Sequence, residues 1–476
     1  MAFGRRFKIS SRIPIAVTVP QLVVSSSKFR ICSVVVLLLM IVLVPLTESY
    51  FSFEIVSTPL GLPGRSLQQT MPQAMASPGD WPMFHSNLQH TGTTSEIVTP
   101  PLTLLWSYTT GNYVWSSPAV SGGVIYVGSV DGNVYALDAS TGAVKWSYTT
   151  GNTREGINSS PAVSGEVVYV GTYDDNVYAL DASTGAVKWK YITGVVYSSP
   201  AISGGVVYVG SVNGNVYALN ASTGTLKWSY TTDGVVYSSP AVSDGFIYVG
   251  SVDGNVYALN VSTGTLKWSY TIENTQKDIA SSPAVSGGIV YVGSYDGNVY
   301  ALDASTGALK WRYTTGGVVW SSPAVSGGVV YVGSWDRKVY ALDAFTGVFK
   351  WSYTTEGTIW SSPAVSGGII YVGSDDRKVY ALDAFTGAFK WSHTTGGSVH
   401  SSPAVSGGVV YVGSDDRKVY AFKPVGGVLT STCELTSTHV IIALPFIGII
   451  GLIVFVVRRR RKNMRPGRTA ADAHDS

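Results

Sequence analysis

Along most of this chain, hydrophobic and polar positions alternate in short bursts that repeat. Ser321 to Thr355 reads SSPAVSGGVVYVGSWDRKVYALDAFTGVFKWSYTT, and near-copies recur about forty residues apart, a period that signals a solenoid, propeller or array. Within one copy, SSPAVS, VVYVGS, KVYALDA and GVFKWSYTT are rich in Val, Tyr and Trp, separated by Ser-Gly-Gly, Asp-Arg-Lys and Phe-Thr-Gly. Such β-branched and aromatic runs between Gly and Asp turns predict strands, and no window carries a useful helical period. Each copy therefore predicts a four-stranded antiparallel sheet. One such sheet cannot bury both faces alone, whereas radial stacking buries them and leaves only short edges.

The Ser-Ser-Pro triplet occurs eight times, ending at Pro118, Pro161, Pro200, Pro240, Pro283, Pro323, Pro363 and Pro403. Tyr-Val-Gly-Ser/Thr follows each time, beginning at Tyr126, Tyr169, Tyr208, Tyr248, Tyr291, Tyr331, Tyr371 and Tyr411. The last copy stops near Lys423-Pro424, one strand short, and the matching piece, Leu104 to Thr110, stands ahead of the first triplet. The expected fold is all-β: an eight-bladed β-propeller of four-stranded blades, closed because the amino-terminal strand completes the last one. Closure removes the edges that invite aggregation.

Composition agrees and narrows the function classes. Charged residues make up 13% and the net charge is +3, with much of the basic excess at the two ends, so the middle gives no ground for nucleic-acid binding. The lead-in carries Trp81-Pro-Met-Phe-His and then His90-Thr-Gly. No carboxylate or cysteine lies at ligand spacing from these histidines; Trp81 and Phe84 are expected to plug or cover the propeller entrance.

The corner between third and fourth strands repeats as Ala-Leu-Asp/Asn-x-x-Thr-Gly-x-x-Lys-Trp-like text, as from Ala136 to Trp146. This resembles the tryptophan-docking repeat of pyrroloquinoline quinone (PQQ)-type propellers, seen in quinoprotein dehydrogenases and in outer-membrane assembly factors of the BamB type. The resemblance spans about residues 103–423. It implies that Trp106, Trp146, Trp189, Trp228, Trp268, Trp311, Trp351 and Trp391 dock each blade on its neighbour. Asp138 and its counterparts suit the corner itself, where an oxygen caps nearby N–H groups and Gly takes positive φ. Asn220 and Asn260 replace Asp in two copies, which favours a turn role over metal binding.

The resemblance also raises an enzymatic reading. The dehydrogenases it points to hold PQQ and Ca²⁺ with carboxylate and amide ligands, a catalytic Asp and usually an adjacent cysteine pair. Here the two cysteines, Cys32 and Cys433, lie outside the repeats, and Glu155, Glu166, Glu273 and Glu356 fall at unrelated repeat positions. No acids cluster as a hard cation requires, and no nucleophile–base pair or phosphate loop is evident. No catalytic residue, metal ligand or cofactor is expected.

Among near-identical copies, the informative positions are those that diverge. The residue before Ser-Ser-Pro is in turn Trp115, Asn158, Tyr197, Tyr237, Ala280, Trp320, Trp360 and His400. The residue after Tyr-Val-Gly-Ser/Thr is Val130, Tyr173, Val212, Val252, Tyr295, Trp335, Asp375 and Asp415. The second-to-third strand turn changes from Asp131-Gly-Asn text to Asp-Arg-Lys in the last three copies, bringing Arg337, Lys338, Arg377, Lys378, Arg417 and Lys418. All these positions belong to one face. The expected ligand face therefore comprises Trp115, Tyr197, Tyr237, Trp320, Trp360 and His400 around the channel mouth. Trp335 and the six basic residues are expected towards its rim. The opposite face reads as nearly monotonous. Asn152–Asn158 and Glu273–Ala280 are three residues longer than their counterparts and are expected to protrude. Asn158, Asn220 and Asn260 begin glycosylation sequons.

The ends carry the localisation signals. Basic residues precede the apolar run Ile31–Leu46, which fits a secretory signal or a signal anchor. Val440–Val457 is apolar and followed at once by Arg458-Arg-Arg-Arg-Lys462, a predicted membrane helix with a cytoplasmic basic stop. The expected organisation is 1–50 signal or anchor, 51–80 flexible linker, 81–425 propeller, 426–439 spacer, 440–457 transmembrane helix and 458–476 basic tail. The functional expectation is an extracytoplasmic, membrane-anchored binding or scaffold module for protein or glycan, not nucleic acid. The rivals are a quinoprotein-type dehydrogenase and a BamB-like envelope assembly factor; Cys32 lacks the small-residue setting of a lipoprotein cysteine.

Overall fold

The computed structural model describes residues 79–151, 156–273 and 278–426. Their strands form eight four-stranded antiparallel blades, one of them extended by a short fifth strand. Blade 1 runs outward from the channel as Ala119–Ser121, Val124–Gly128, Asn133–Asp138 and Val144–Thr149. Blades 2 to 7 repeat this plan from Ala162, Ala201, Ala241, Ala284, Ala324 and Ala364. Blade 8 supplies Ala404–Ser406, Val409–Gly413 and Lys418–Pro424, and takes Leu102–Thr109 as its outermost strand. The closure read from the missing strand is thus observed. The signal or anchor, the linker up to residue 78, the spacer beyond Gly426, the apolar segment 440–457 and the tail lie outside the described residues. Among the described residues no helix is long and apolar enough to cross a membrane.

The repeated text has a mechanical explanation. In blade 1 the ladder slips by one residue just before Trp146, a bulge that re-aims the following side chain. The Trp146 indole then donates to the Ala182 carbonyl of blade 2 at 2.9 Å and lies over Gly185, where a Cβ would come within 2.6 Å of its ring. Gly185 also has φ +73°, so both space and backbone require glycine there. Trp106, Trp189, Trp228, Trp268, Trp311 and Trp351 make the same bond to the next corner. Trp391 does not. Blade 8 has no such corner, because its third strand runs on to Pro424, so the Trp391 ring packs edge-on against Phe422 instead. The girdle has seven docked members and one exception.

Ser-Ser-Pro is explained by two further bonds. The first hydroxyl accepts the N–H of the Tyr-Val-Gly glycine of its own blade, as Ser116 does from Gly128 at 3.0 Å. The second accepts from the preceding blade: Ser117 N–H donates to Ser160 Oγ, Ser160 to Ser199, and so on to Ser362 and Ser402. Ser402 N–H donates back to Ser117 Oγ at 3.0 Å. An unbroken hydrogen-bonded cycle therefore lines the channel.

The lead-in closes a second circle. The inner edge of each blade would present unpaired N–H groups, and residues 81–92 meet them in turn. Val120, Val163, Val242, Val285, Val325 and Val365 donate to the carbonyls of Trp81, Pro82, Leu88, Gln89, Thr91 and Gly92 at 2.6–2.8 Å. Met83 and Leu88 pack against blade 3. Thr93–Thr94 pairs in parallel with Val365–Ser366. Both ends of the circle reach blade 8: Gly79 accepts from the Ser406 hydroxyl, and the Glu96 carboxylate accepts the Gly407 and Gly408 N–H groups. His85 and His90 are buried within it, each with Nδ1 against a backbone carbonyl, of His90 and Pro283 respectively. Burial holds His85 down at about 4 and His90 at about 3, despite those bonds. Both rings pack against Phe84, His85 stacked at 4.5 Å and His90 edge-on at 5.5 Å.

Candidate functional site

The propeller has two unlike faces. On one, each third-to-fourth strand corner bonds the turn between first and second strands, as Ala139 N–H does to Gly123 O. The lead-in circle lies towards this corner face. On the other, the hairpin between second and third strands bonds the connection that enters its own blade, as Val130 N–H does to Tyr113 O and Gly111 N–H to Asp131 Oδ2. This is the mouth face.

Alternation decides what the mouth presents. Val114 and its counterparts are buried between blades, packed so tightly that a Cβ on Gly413 would lie 2.5 Å from Val114. Ser116 is locked by its glycine, so the residue between faces the channel. Ring contacts join these residues across blades: Trp115 to His400 at 6.3 Å, His400 to Trp360 at 5.7 Å, Trp360 to Trp320 at 5.2 Å. The arc continues from Trp320 to Tyr237 at 6.4 Å, Tyr237 to Tyr197 at 5.1 Å and Tyr197 to Tyr173 at 4.8 Å. Blade 5 contributes small Ala280, and Tyr237 reaches past it to Trp320. The arc is open at blade 2, where Asn158 stands. Part of the longer connections, 152–155 and 274–277, lies outside the described residues; Ile157 and Ile279 beside them are buried.

Trp335, expected further out, sits within the aromatic cluster. Its ring is 4.4 Å from Trp360, 6.4 Å from Trp320 and nearly parallel to it, and 5.7 Å from Tyr295. Its Nε1 is buried with no partner among the described residues.

Sequence reasoning missed what Asp375 and Asp415 do. Asp375 takes His400 Nε2 at 2.6 Å and Trp360 Nε1 at 3.2 Å, and also accepts the Thr358 hydroxyl. Asp415 takes Trp115 Nε1 at 2.8 Å and lies 3.4 Å from His400 Nδ1. Burial opposes charge on His400, yet the two carboxylates outweigh it and hold the imidazole up at about 9. Burial likewise opposes charge on Asp375, but its bonds from His400 and Thr358 win and lower it. His400 is therefore a cation clamped between two acids and two tryptophans. The signal was present in the text: acids replace Val, Tyr or Trp only in the two copies flanking that histidine.

The three Arg turns surround this sector. Arg337, Arg377 and Arg417 adopt φ of 71°, 69° and 71°, where four earlier copies have glycine. A left-handed non-glycine residue costs ~1–2 kcal/mol, offset in part by the aspartate before it: Asp336 Oδ1 accepts Lys338 N–H at 3.1 Å. The three guanidinium groups are exposed and form no ion pair among the described residues. Lys378 bonds Glu356 at 3.0 Å, so the basic sector is less positive than six free side chains would make it.

A sequence profile described as outer membrane protein assembly factor BamB matches residues 102–195, 192–283, 272–361 and 354–430. The chain belongs to this family. No curated protein sequence matches it. Among solved structures, BamB from Moraxella catarrhalis shares 23% identity over 68% of this chain and 99% of its own, with a TM-score of 0.60. A europium-containing methanol dehydrogenase shares 18%, over 73% and 98%, at 0.65. Quinohemoprotein alcohol dehydrogenase from Comamonas testosteroni shares 17%, over 75% and 83%, at 0.63. These likenesses carry the fold alone, which an assembly factor and dehydrogenases share. The calcium–quinone pair that the resemblance implies for a dehydrogenase needs hard oxygen donors free to bind. The residues converging at this mouth do not fit it, because the carboxylates of Asp375 and Asp415 already face an imidazolium and indole N–H groups.

Proposed function

We propose that this chain is a non-catalytic binding or scaffold module, exported and held at the cell membrane by segment 440–457, with its propeller outside and tail 458–476 inside. The mouth takes a protein or glycan partner. The observation that carries this reading is the aromatic arc from Trp115 to Tyr173, gathered at the channel end opposite the lead-in circle. Half-buried aromatics at a channel mouth supply contact area to sugar or peptide surfaces. The neighbouring Arg turns would orient and speed capture of an anionic partner. Membership of the BamB-type family favours protein partners among these.

The test uses the full chain in detergent against glycan and envelope-protein panels, followed by titration of each binder against two variants. Trp320→Ala with Trp360→Ala should weaken binding strongly and with little salt dependence. Arg337→Ser, Arg377→Ser and Arg417→Ser together should weaken it mainly at low ionic strength, since screening is strong beyond ~10 Å at 0.1 M salt. Binders held equally by both variants would remove the mouth as the site. Calcium-dependent dye reduction with added quinone would overturn the non-catalytic reading.

A further inference from the structure

We propose that the corner face, over blades 6 and 7, is a docking surface for the lipid bilayer; this rests on the reading of 440–457 as a membrane anchor. Phe345 and Phe385 are 66% and 82% exposed. In blades 1 to 5 the same corner position is serine: Ser140, Ser183, Ser222, Ser262 and Ser305. Ser140, Ser183 and Ser305 each donate their hydroxyl to the corner aspartate at 2.6 Å. Phenylalanine gives up that bond and places a ring in water, two local losses with no gain inside the fold. Ile97, 69% exposed, lies against Gly367 beside Phe385, whereas Phe349 and Phe389, where other copies have Val or Leu, stack on Tyr313 and Tyr353 of the preceding blades. Exposed apolar clusters of this kind mark an interaction surface.

The chain's course names the occupant. The strand Lys418–Pro424 ends on the corner face of blade 8, where Val425 N–H bonds Pro101 O. The phenylalanines belong to the two blades preceding it. Residues 427–439 then separate that exit from Val440, a reach of at most ~45 Å at full extension. A tether of this length confines the propeller near the lipid without fixing which face meets it. The aromatic tips supply the orientation, turning the mouth away. Near the phenylalanines Lys350 pairs with Asp343 at 3.2 Å and Lys390 with Asp383 at 3.1 Å, and Glu96 beside Ile97 is acidic, its carboxylate held by the Gly407 and Gly408 N–H groups, so docking is apolar insertion at the interface and not attraction to anionic headgroups.

The test places one fluorophore on the full chain carrying Cys32→Ser and Cys433→Ser, at Phe345→Cys or, on the mouth face, at Glu356→Cys. Each is reconstituted in phosphatidylcholine vesicles, and iodide quenching is measured after flotation. The label at 345 should be quenched at least threefold less than the label at 356 in vesicles, and equally in detergent micelles. Adding Phe385→Ser and Ile97→Ser should abolish the difference with the melting temperature kept. Flotation with equal quenching at both labels overturns the docking alone; loss of flotation overturns it together with the anchor. Shielding that grows with the protein-to-lipid ratio assigns the patch to a second copy and overturns the lipid as occupant.

Discussion

The ion cluster at the mouth makes a quantitative prediction about pH. His400 is charged far above its ordinary range because Asp375 and Asp415 hold it from both sides. A rise from 6.5 to about 9 corresponds to ~3 kcal/mol, at ~1.4 kcal/mol for each factor of ten. About a quarter of the imidazole remains exposed, so water screens part of this, and ~1–3 kcal/mol is expected. The sign follows from linkage. A group whose folded value is raised gives stability fully present below pH 6.5 and lost as pH rises through about 9. The buried tyrosines, such as Tyr208 raised by burial to about 12, lose their contribution only above pH 10, outside this window. Denaturant midpoints of the wild type and of His400→Gln at pH 6.5, 8 and 9.5 therefore isolate the cluster. The wild type should be favoured at pH 6.5, with the gap closing towards pH 9.5. The imidazole signal of His400 should titrate near 9. A gap that does not change with pH, or a titration at or below 6.5, would refute the clamped cation.

The lead-in histidines act in the opposite direction: depressed to about 4 and 3, they contribute stability above pH 6.5 that is lost on acidification. Hydrogen exchange at pH 4–5 should show residues 81–94 opening before the blade strands. Trp106→Ala should cost ~3–5 kcal/mol in urea denaturation, and Trp391→Ala clearly less, because it lacks the docking bond. Gly142→Ala meets the Trp106 ring at 2.6 Å and should cost ~2 kcal/mol more than Gly123→Ala. Gly123 has a similar φ of +74° but open space around it. Equal losses at the two glycines would discount the close approach. Deleting Leu104–Thr110 should lower the melting temperature and promote self-association through the uncovered strand Lys418–Pro424; unchanged behaviour would contradict closure by that strand.

The blades were legible because their hydrophobic period and turn residues are local properties, written eight times. The count and closure were legible from one missing strand. The docking role of tryptophan entered by resemblance, and its failure at Trp391 did not, because it depends on a corner that blade 8 lacks. Convergence of Trp115, Trp320 and Trp360 followed from their shared repeat position. The cluster of His400 with Asp375 and Asp415 did not, because its members come from two repeat positions and meet only across blades. Likewise, the second serine of Ser-Ser-Pro bonds a residue about forty positions away, a distance that text alone does not relate. Phe345 and Phe385 were passed over because the surrounding Asp-Ala-x-Thr-Gly text stays constant while the variable position carries the new chemistry.

Closure from the amino-terminal side also sets an order of events in time. Leu102–Thr109 is made roughly three hundred residues before its partner Lys418–Pro424, a delay of about 15–60 s at ordinary rates of synthesis. The lead-in that touches all eight blades through its backbone and side chains is made earlier still. Until the last blade arrives, the apolar strand LTLLWSYT is a naked edge, available to any neighbouring chain. A nascent copy arrested before Lys418 would carry two such edges and no means of closing either. The segments that protect the finished ring are thus the ones that wait longest for a partner, and they put the period of greatest exposure at the start of the molecule's life.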